Sequence, residues 1–245
     1  MTTAFDKDYF RTHTYAKVSF ARFSQYWWSN RFYSILGRRY GRKGSRLLEV
    51  GVGLGHLVGQ LEGDFKTFGI DINEWALRQD ARREAPHTQL QHASAQAMPY
   101  ASGSFGVVII KHIVEHLPQP ERAIAELGRL LEPGGVLILA TPNLDSMLKP
   151  LKGERWIGYQ DPTHISLRPP AEWLRLIHDE GRMQVEHVWS DGFWDVPYVP
   201  VIPVPIQKLF FGALGGFQAI TGWTFLPLRW GESLIVVARK GAAVT

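Results

Sequence analysis

RLLEVGVGLGHLVGQLEGDFKTFGIDIN, residues 46–73, decides how this chain folds. It opens on a short apolar run, Leu47–Val50, bounded by polar residues, which is how a strand buried on both faces reads. The run breaks at Gly51, Gly53 and Gly55 and resumes at helical spacing with Leu57, Val58 and Leu61. A second apolar strand, Phe65–Ile70, closes on Asp71. That order is a βαβ unit. Glycine in its first turn lets the backbone bend sharply and leaves no side chain between the chain and a ligand. A dinucleotide fingerprint would need a third glycine where His56 stands, so a dinucleotide oxidoreductase is disfavoured. On these glycines alone, a tight strand-to-helix turn of any α/β protein remains the plain alternative.

A chain of 245 residues suits one α/β domain with decorations. Its 45% hydrophobic and 20% charged content is that of a globular protein. No cysteine is present, which excludes a disulfide framework, a thiolate metal site and a thiol nucleophile. The opening MTTAFDKDYFRTHTY lacks a signal-peptide pattern, and no apolar run reaches the roughly 18–20 residues of a membrane span. A soluble cytoplasmic protein is the expectation. Part of the net charge of +4 sits in the basic run Arg38–Arg46. No aromatics interleave there in a base-stacking pattern, so the run reads as a solvated linker and a nucleic-acid partner is disfavoured.

Aromatics at near-helical spacing (Phe10, Tyr15, Phe20, Phe23, Tyr26, Trp27, Phe32, Tyr33) predict one or two helices ahead of the core, closing at Gly37 or Gly41. Residues 1–45 are expected to form an N-terminal helical lid, and 46–245 the main domain. Asn73 predicts a capped helix to about Ala85, stopped by Pro86. Strands are expected at Gln89–His92, Ser104–Ile110 and Val136–Ala140. Between the last two, Ala123, Ile124, Leu127, Leu130 and Leu131 make the stripe of an amphipathic helix. A helix from about Pro170 to Gly181 precedes an edge strand, Gln184–Trp189. A final strand, Ser233–Arg239, follows only after a hydrophobic insert at about 192–231.

Motifs in consistent order carry a family resemblance. Glu49-x-Gly51-x-Gly53-x-Gly55 resembles motif I of the class I S-adenosylmethionine (SAM) dependent methyltransferases. SFGVVIIKHIVEHLPQPERAIAELGRLLEPGGVLILATPN, residues 104–143, follows the block of the branch that includes ubiquinone-biosynthesis O-methyltransferases. Trp156 through Asp161-Pro162-Thr163-His164 to Ser166 is similar to a later stretch of that family. The resemblance implies a Rossmann-like, doubly wound α/β fold: a seven-stranded sheet, mostly parallel with a last antiparallel strand, with helices on both faces. It implies SAM as cofactor, near Glu49, Gly51, Val52, Gly53, Gly55, Asp71, Ile72, Ser94, Ala95 and Lys111. Asp71 would accept hydrogen bonds from both ribose hydroxyls. Ser94 stands where relatives carry an adenine-binding Asp, and Gly106 replaces a usual Asp.

The implied activity is methyl transfer to a small-molecule or lipid-like acceptor, at oxygen. The alternative is a non-catalytic SAM-binding or scaffold protein. A hydroxyl acceptor needs a base, and His164 or His112 lies at the right edge with a near-neutral reference pKa. His112-x-x-Glu115-His116 also resembles a metal-ligand set, but no metal is expected. The insert reads as a pocket wall, an interfacial helix with peripheral membrane contact through 206–228, a dimer contact or a packed extension of the core.

Overall fold

The computed structural model describes residues 18–192 and 196–242, so the predicted contributions of Phe10 and Tyr15 lie outside the described residues. Seven strands form one sheet: β1 (Arg46–Val50), β2 (Lys66–Asp71), β3 (Gln89–His92), β4 (Phe105–Lys111), β5 (Leu131–Pro142), β6 (Met183–Ser190) and β7 (Ser233–Lys240). Their order is β3-β2-β1-β4-β5-β7-β6. Only β7 runs against its neighbours, pairing antiparallel with β5 and β6. The predicted sheet, its reversed last strand and the edge position of β6 are all present.

Register matters more here than strand count. Val50 pairs with both Ile70 and Ile110, and Asp71 pairs with His92. The carboxyl ends of β1, β2 and β4 therefore finish level. Glu49, the glycine turn, Asp71 and Lys111 come to one edge, where ligands sit in open α/β sheets.

Each face of the sheet is covered by helices. Helix α1 (Gln25–Tyr40) begins at Ser24, whose hydroxyl accepts the Trp27 N–H, and places Phe32, Tyr33 and Leu36 against Leu47, Val107 and Ile109. On the other face α2 (Pro120–Leu130) and α3 (Pro170–Asp179) bury Ala123, Ile124, Leu127, Trp173 and Ile177.

Three local features depart from the periodicity. The helix after Asn73 is α-helical at Glu74–Ala76, widens to a π turn at Leu77–Ala81 and returns to α at Arg82–Glu84. The widening coincides with close packing of Ala81 backbone on Gly55, where a β-carbon would stand 2.8 Å from the Ala81 Cα. Strand β5 starts five residues before Val136, because Leu131 pairs with Phe105 ahead of a register shift. Gly106 has a packing reason: a β-carbon would lie 2.9 Å from Ser45 and 3.1 Å from the Glu132 carboxylate.

The insert contains helix α4 (Val204–Thr221), which packs on α1. The Arg39 guanidinium donates to the Gly222 carbonyl at 2.6 Å. Buried Gln207 ties the approach to α4. It accepts the Tyr198 and Val199 N–H groups at 2.7 and 3.0 Å and donates to the Val199 and Ile202 carbonyls at 2.7 and 2.6 Å. Beneath it the Lys152 ammonium meets the Glu232 carboxylate at 3.1 Å, with both side chains almost fully buried, and the Tyr198 hydroxyl donates to Glu232 at 3.0 Å. Removing one member of such a pair strands a buried charge. Lys152→Met is expected to destabilise the protein by about 3–5 kcal/mol in urea denaturation. A loss below about 1 kcal/mol, the range of exposed pairs, would show that water reaches Glu232.

Candidate active site

Three glycines with positive φ build the turn after β1: Gly51 at 80°, Gly53 at 49° and Gly55 at 85°. Other residues rarely adopt such angles. The Gly51 and Val52 N–H groups both donate to the Ile70 carbonyl, at 2.9 and 3.0 Å, which locks the turn to β2. The Ile113 side chain lies directly over Gly51, so a β-carbon there would overlap it. Gly55 and Gly59 allow the backbone around Ala81 and Glu84 to approach. Helix-against-helix packing therefore falls to Gly55, which frees the next position for His56. Phe20 stacks on that imidazole at 5.5 Å between centroids.

Asp71 is buried at the end of β2. One carboxylate oxygen accepts the Gly53 N–H and the other the Asn73 N–H, both at 2.7 Å. A carboxylate offers about four lone-pair sites, so each oxygen keeps one for a hydroxyl donor. Burial raises the Asp71 pKa, and these N–H bonds oppose the rise. Ile72 beside it is half-exposed. Across the turn, the Glu49 carboxyl is buried, and its Oε2 has no hydrogen-bond partner among the described residues. Burial pushes it up to about 8, while the Lys111 charge pulls the other way.

Lys111 ends β4. Its ammonium donates to the Asn30 side-chain oxygen at 2.8 Å and the Ser29 hydroxyl at 3.2 Å, and lies 4.9 Å from the Tyr33 ring. Loss of hydration brings it down to about 8, with Glu49 and Asp191 opposing. Residues of α1 thus close one side of the site. Ser94 turns inward to its own loop, accepting the Gln96 N–H at 3.2 Å, and Ala95 is buried.

His112 follows directly, at φ 52°, a left-handed angle uncommon for a residue with a side chain. Its Nδ1 faces the Glu115 carboxylate at 3.1 Å. Glu115 is fully buried and accepts the Thr141 hydroxyl on its other oxygen at 3.1 Å. Burial works to raise the Glu115 pKa, but the His112 hydrogen bond and the charges of His112 and His116 bring it below its usual value. His164 donates from Nδ1 to the Gly158 carbonyl at 2.8 Å and lies 4.6 Å from the His116 ring. Glu115, His116 and His164 place ligand-type atoms within 4.8 Å of one another, a different trio from the one its spacing in sequence suggests.

Sequence reasoning passed over Asp191, Asn30 and Tyr33. Asp191 follows β6, which runs parallel to β1, so it closes a strand at the same edge as Asp71 does. Burial raises Asp191 to about 6, with Ser233, His112 and Lys111 opposing. Asn30 and Tyr33 carried no signal beyond an apolar helix.

The arrangement can hold a cationic nucleoside. Glycine backbone, an acid with spare lone pairs and a buried orphan carboxyl oxygen suit a ribose diol beside an ammonium or sulfonium group. Residues 48–139 match the family described as a methyltransferase domain. Over that span the chain is similar to the class I SAM-dependent methyltransferases, and that similarity together with the fold implies SAM as the cofactor.

Among particular relatives, the chain is 32% identical over 150 residues to a ubiquinone biosynthesis O-methyltransferase of Thiobacillus denitrificans, covering 56% of this chain and 64% of that one. It is 29% identical over 192 residues to an uncharacterised 37.1 kDa protein in transposon Tn4556 of Streptomyces fradiae, covering 73% of this chain and 50% of that one. The chain thus spans about half to two thirds of these relatives' length. The PH0226 protein of Pyrococcus horikoshii shares the fold at TM-score 0.65, with 17% identity over 96% of this chain and 99% of that one.

The Glu49 pKa has a consequence for stability. The folded chain keeps this proton well above the ordinary 4.5, so this group's stabilising contribution is full below about pH 4.5 and is lost as pH climbs to about 8. Glu49→Gln stays neutral at every pH. Its melting temperature should fall less between pH 5 and 8 than that of the parent; two parallel profiles would overturn the assignment.

Proposed function

We propose that this chain transfers a methyl group from SAM to an oxygen of a small-molecule or lipid-like acceptor. The observation that carries this reading is the convergence of Asp71, the glycine turn and orphaned Glu49 at one end of three level strands. When bound, SAM supplies a methyl group on a positively charged sulfur that leaves as a neutral thioether.

The chain's own residues would do the rest. Asp71 would accept the ribose hydroxyls, with Val52, Ile72, Ser94 and Ala95 flanking the nucleoside. Glu49 would face the positive charge of the methionine portion, and that charge would draw its pKa down. Phe20 over His56, with Asn30 and Ser29 on Lys111, supports the first 45 residues as a lid that excludes water.

His112 is the better-supported general base. Its Nδ1 must donate to the Glu115 carboxylate, which leaves Nε2 as a lone-pair acceptor for a hydroxyl proton. Glu115, held by Thr141, fixes the ring and would stabilise the imidazolium, the arrangement in which a base is oriented by a third group. The left-handed backbone at His112 adds local strain of the kind found at functional sites. His164, the other candidate, is held by Gly158 against His116 and suits acceptor positioning. Exposed apolar residues along 206–228 support a membrane contact and, with it, a lipid-like acceptor. No metal has a role in this scheme.

Isotope transfer from labelled SAM into the organic or aqueous fraction of a cell extract reads both activity and acceptor class. His112→Ala should slow transfer about 10²–10⁴-fold with SAM affinity unchanged in calorimetry. Transfer at the parental rate would remove His112 as base. Asp71→Asn should weaken SAM binding about 10–100-fold, the range for a hydrogen bond to a charged group. Unchanged affinity would place the ribose elsewhere.

A further inference from the structure

Helix α4 is amphipathic in the wrong sense for a packed helix. Its buried side presents Gln207, Gly215, Gln218 and Ala219. Its outer side presents Ile206, Leu209, Phe210, Leu214, Phe217 and Ile220, of which Leu209 is 71% and Phe210 68% exposed. The spacing of three and four makes these one continuous stripe. Trp223, just past the helix, is exposed beside them. A soluble protein rarely leaves so long an apolar face bare unless something covers it.

At the C-terminal end of this stripe, a cavity of about 420 Å³ lies between α1 and α4, lined by Arg22, Trp27, Trp28, Arg31 and Ile220. Among the described residues, neither arginine side chain makes a hydrogen bond or ion pair to the protein, although the Arg22 guanidinium lies 4.9 Å from the Phe23 ring. Two uncommitted guanidinium groups beside two indoles can take a phosphate: the forks match phosphate oxygens, and indoles favour the boundary between headgroup and acyl chain. Residues 196–231 contain Lys208 and Arg229 and no acidic residue. Every charged residue of that segment is therefore a cation.

We propose that α4 lies in the surface of an anionic phospholipid bilayer, with one lipid phosphate seated between Arg22 and Arg31. This deepens the membrane contact argued above and is independent of methyl transfer. The helix cannot instead cross: among the described residues no helix is long and apolar enough to span a membrane. A second copy of the chain fits less well as the occupant, since a two-fold pair would bring edges of like charge into one interface. Lying flat, the helix buries its stripe in the acyl boundary while Arg22, Arg31 and Lys208 meet the headgroups.

The test is flotation of the full chain with phosphatidylcholine vesicles, with and without phosphatidylglycerol. Binding should require phosphatidylglycerol. Arg22→Gln with Arg31→Gln should weaken it roughly 30-fold, from two lost surface charges. Phe210→Ser with Phe217→Ser should abolish it, and this variant should bind SAM like the parent. Separate SAM calorimetry therefore distinguishes failure of this proposal from failure of the methyltransferase reading. Four outcomes would overturn the proposal: no vesicle binding; equal binding to neutral vesicles; displacement by inorganic phosphate alone, which would mark a free-anion site; or light scattering that shows a dimer abolished by Phe210→Ser with Phe217→Ser.

Discussion

Level register between parallel strands is the constraint on which the rest depends. Val50 has Ile70 on one side and Ile110 on the other, so three strands end together. Because β1 is flanked on both sides, the chain leaving it can only turn up and over the sheet edge, and the turn must be tight. Three positive-φ glycines meet that demand, and the Ile70 carbonyl accepts two N–H groups from the turn. The Asp71 carboxylate is then close enough to accept the Gly53 amide. A slip of one residue between β1 and β2 would send Asp71 to the other face and separate the acid from the turn.

Around this edge the protein accumulates groups that ordinarily avoid burial. Glu49, Asp71, Glu115 and Asp191 are all buried, with half-buried Lys111 and His112 beside them. Burial works to raise every one of the acids, and they do not respond alike. Glu115 has two nearby imidazoles and falls below its usual value. Glu49 has one lysine and an unsatisfied oxygen, and it rises. Such spreading of carboxyl pKa values by environment is characteristic of sites that bind and move charge. The orphaned oxygen is costly in the absence of a ligand and useful in its presence.

The insert is organised by different physics. Gln207 ties the insert's approach segment to α4 and the Tyr198 hydroxyl reaches the buried Lys152–Glu232 pair, while the large apolar side chains of α4 are left outside. Polar anchoring inward and apolar display outward is the reverse of a core helix. Helix α1 joins the two regions. It contributes Asn30 and Ser29 to the lysine that ends β4 and Arg31, Trp27 and Trp28 to the cavity beside α4.

The resemblance to the methyltransferases implied the reversed last strand; by itself the sequence determined the order of strands and helices and the glycine–acid pairing of the turn. These follow from local patterns: strands buried on both faces read as apolar runs, and positive φ calls for glycine. Local pattern also marked His112 and Asp71 by their place at strand ends, and His164 by its loop over the same edge. The tertiary structure decided what depends on contact between distant segments. It gives Gly106 a packing reason, since a side chain there would need Ser45 and Glu132 to shift, and shows why His56 fits, since Phe20 stacks on it. It chose the partner of each histidine, Glu115 for His112 and Gly158 for His164, across separations that no periodicity encodes. It also turned the apolar side of α4 outward: hydropathy alone shows that a helix is apolar, whereas the buried glutamines show which side faces the protein.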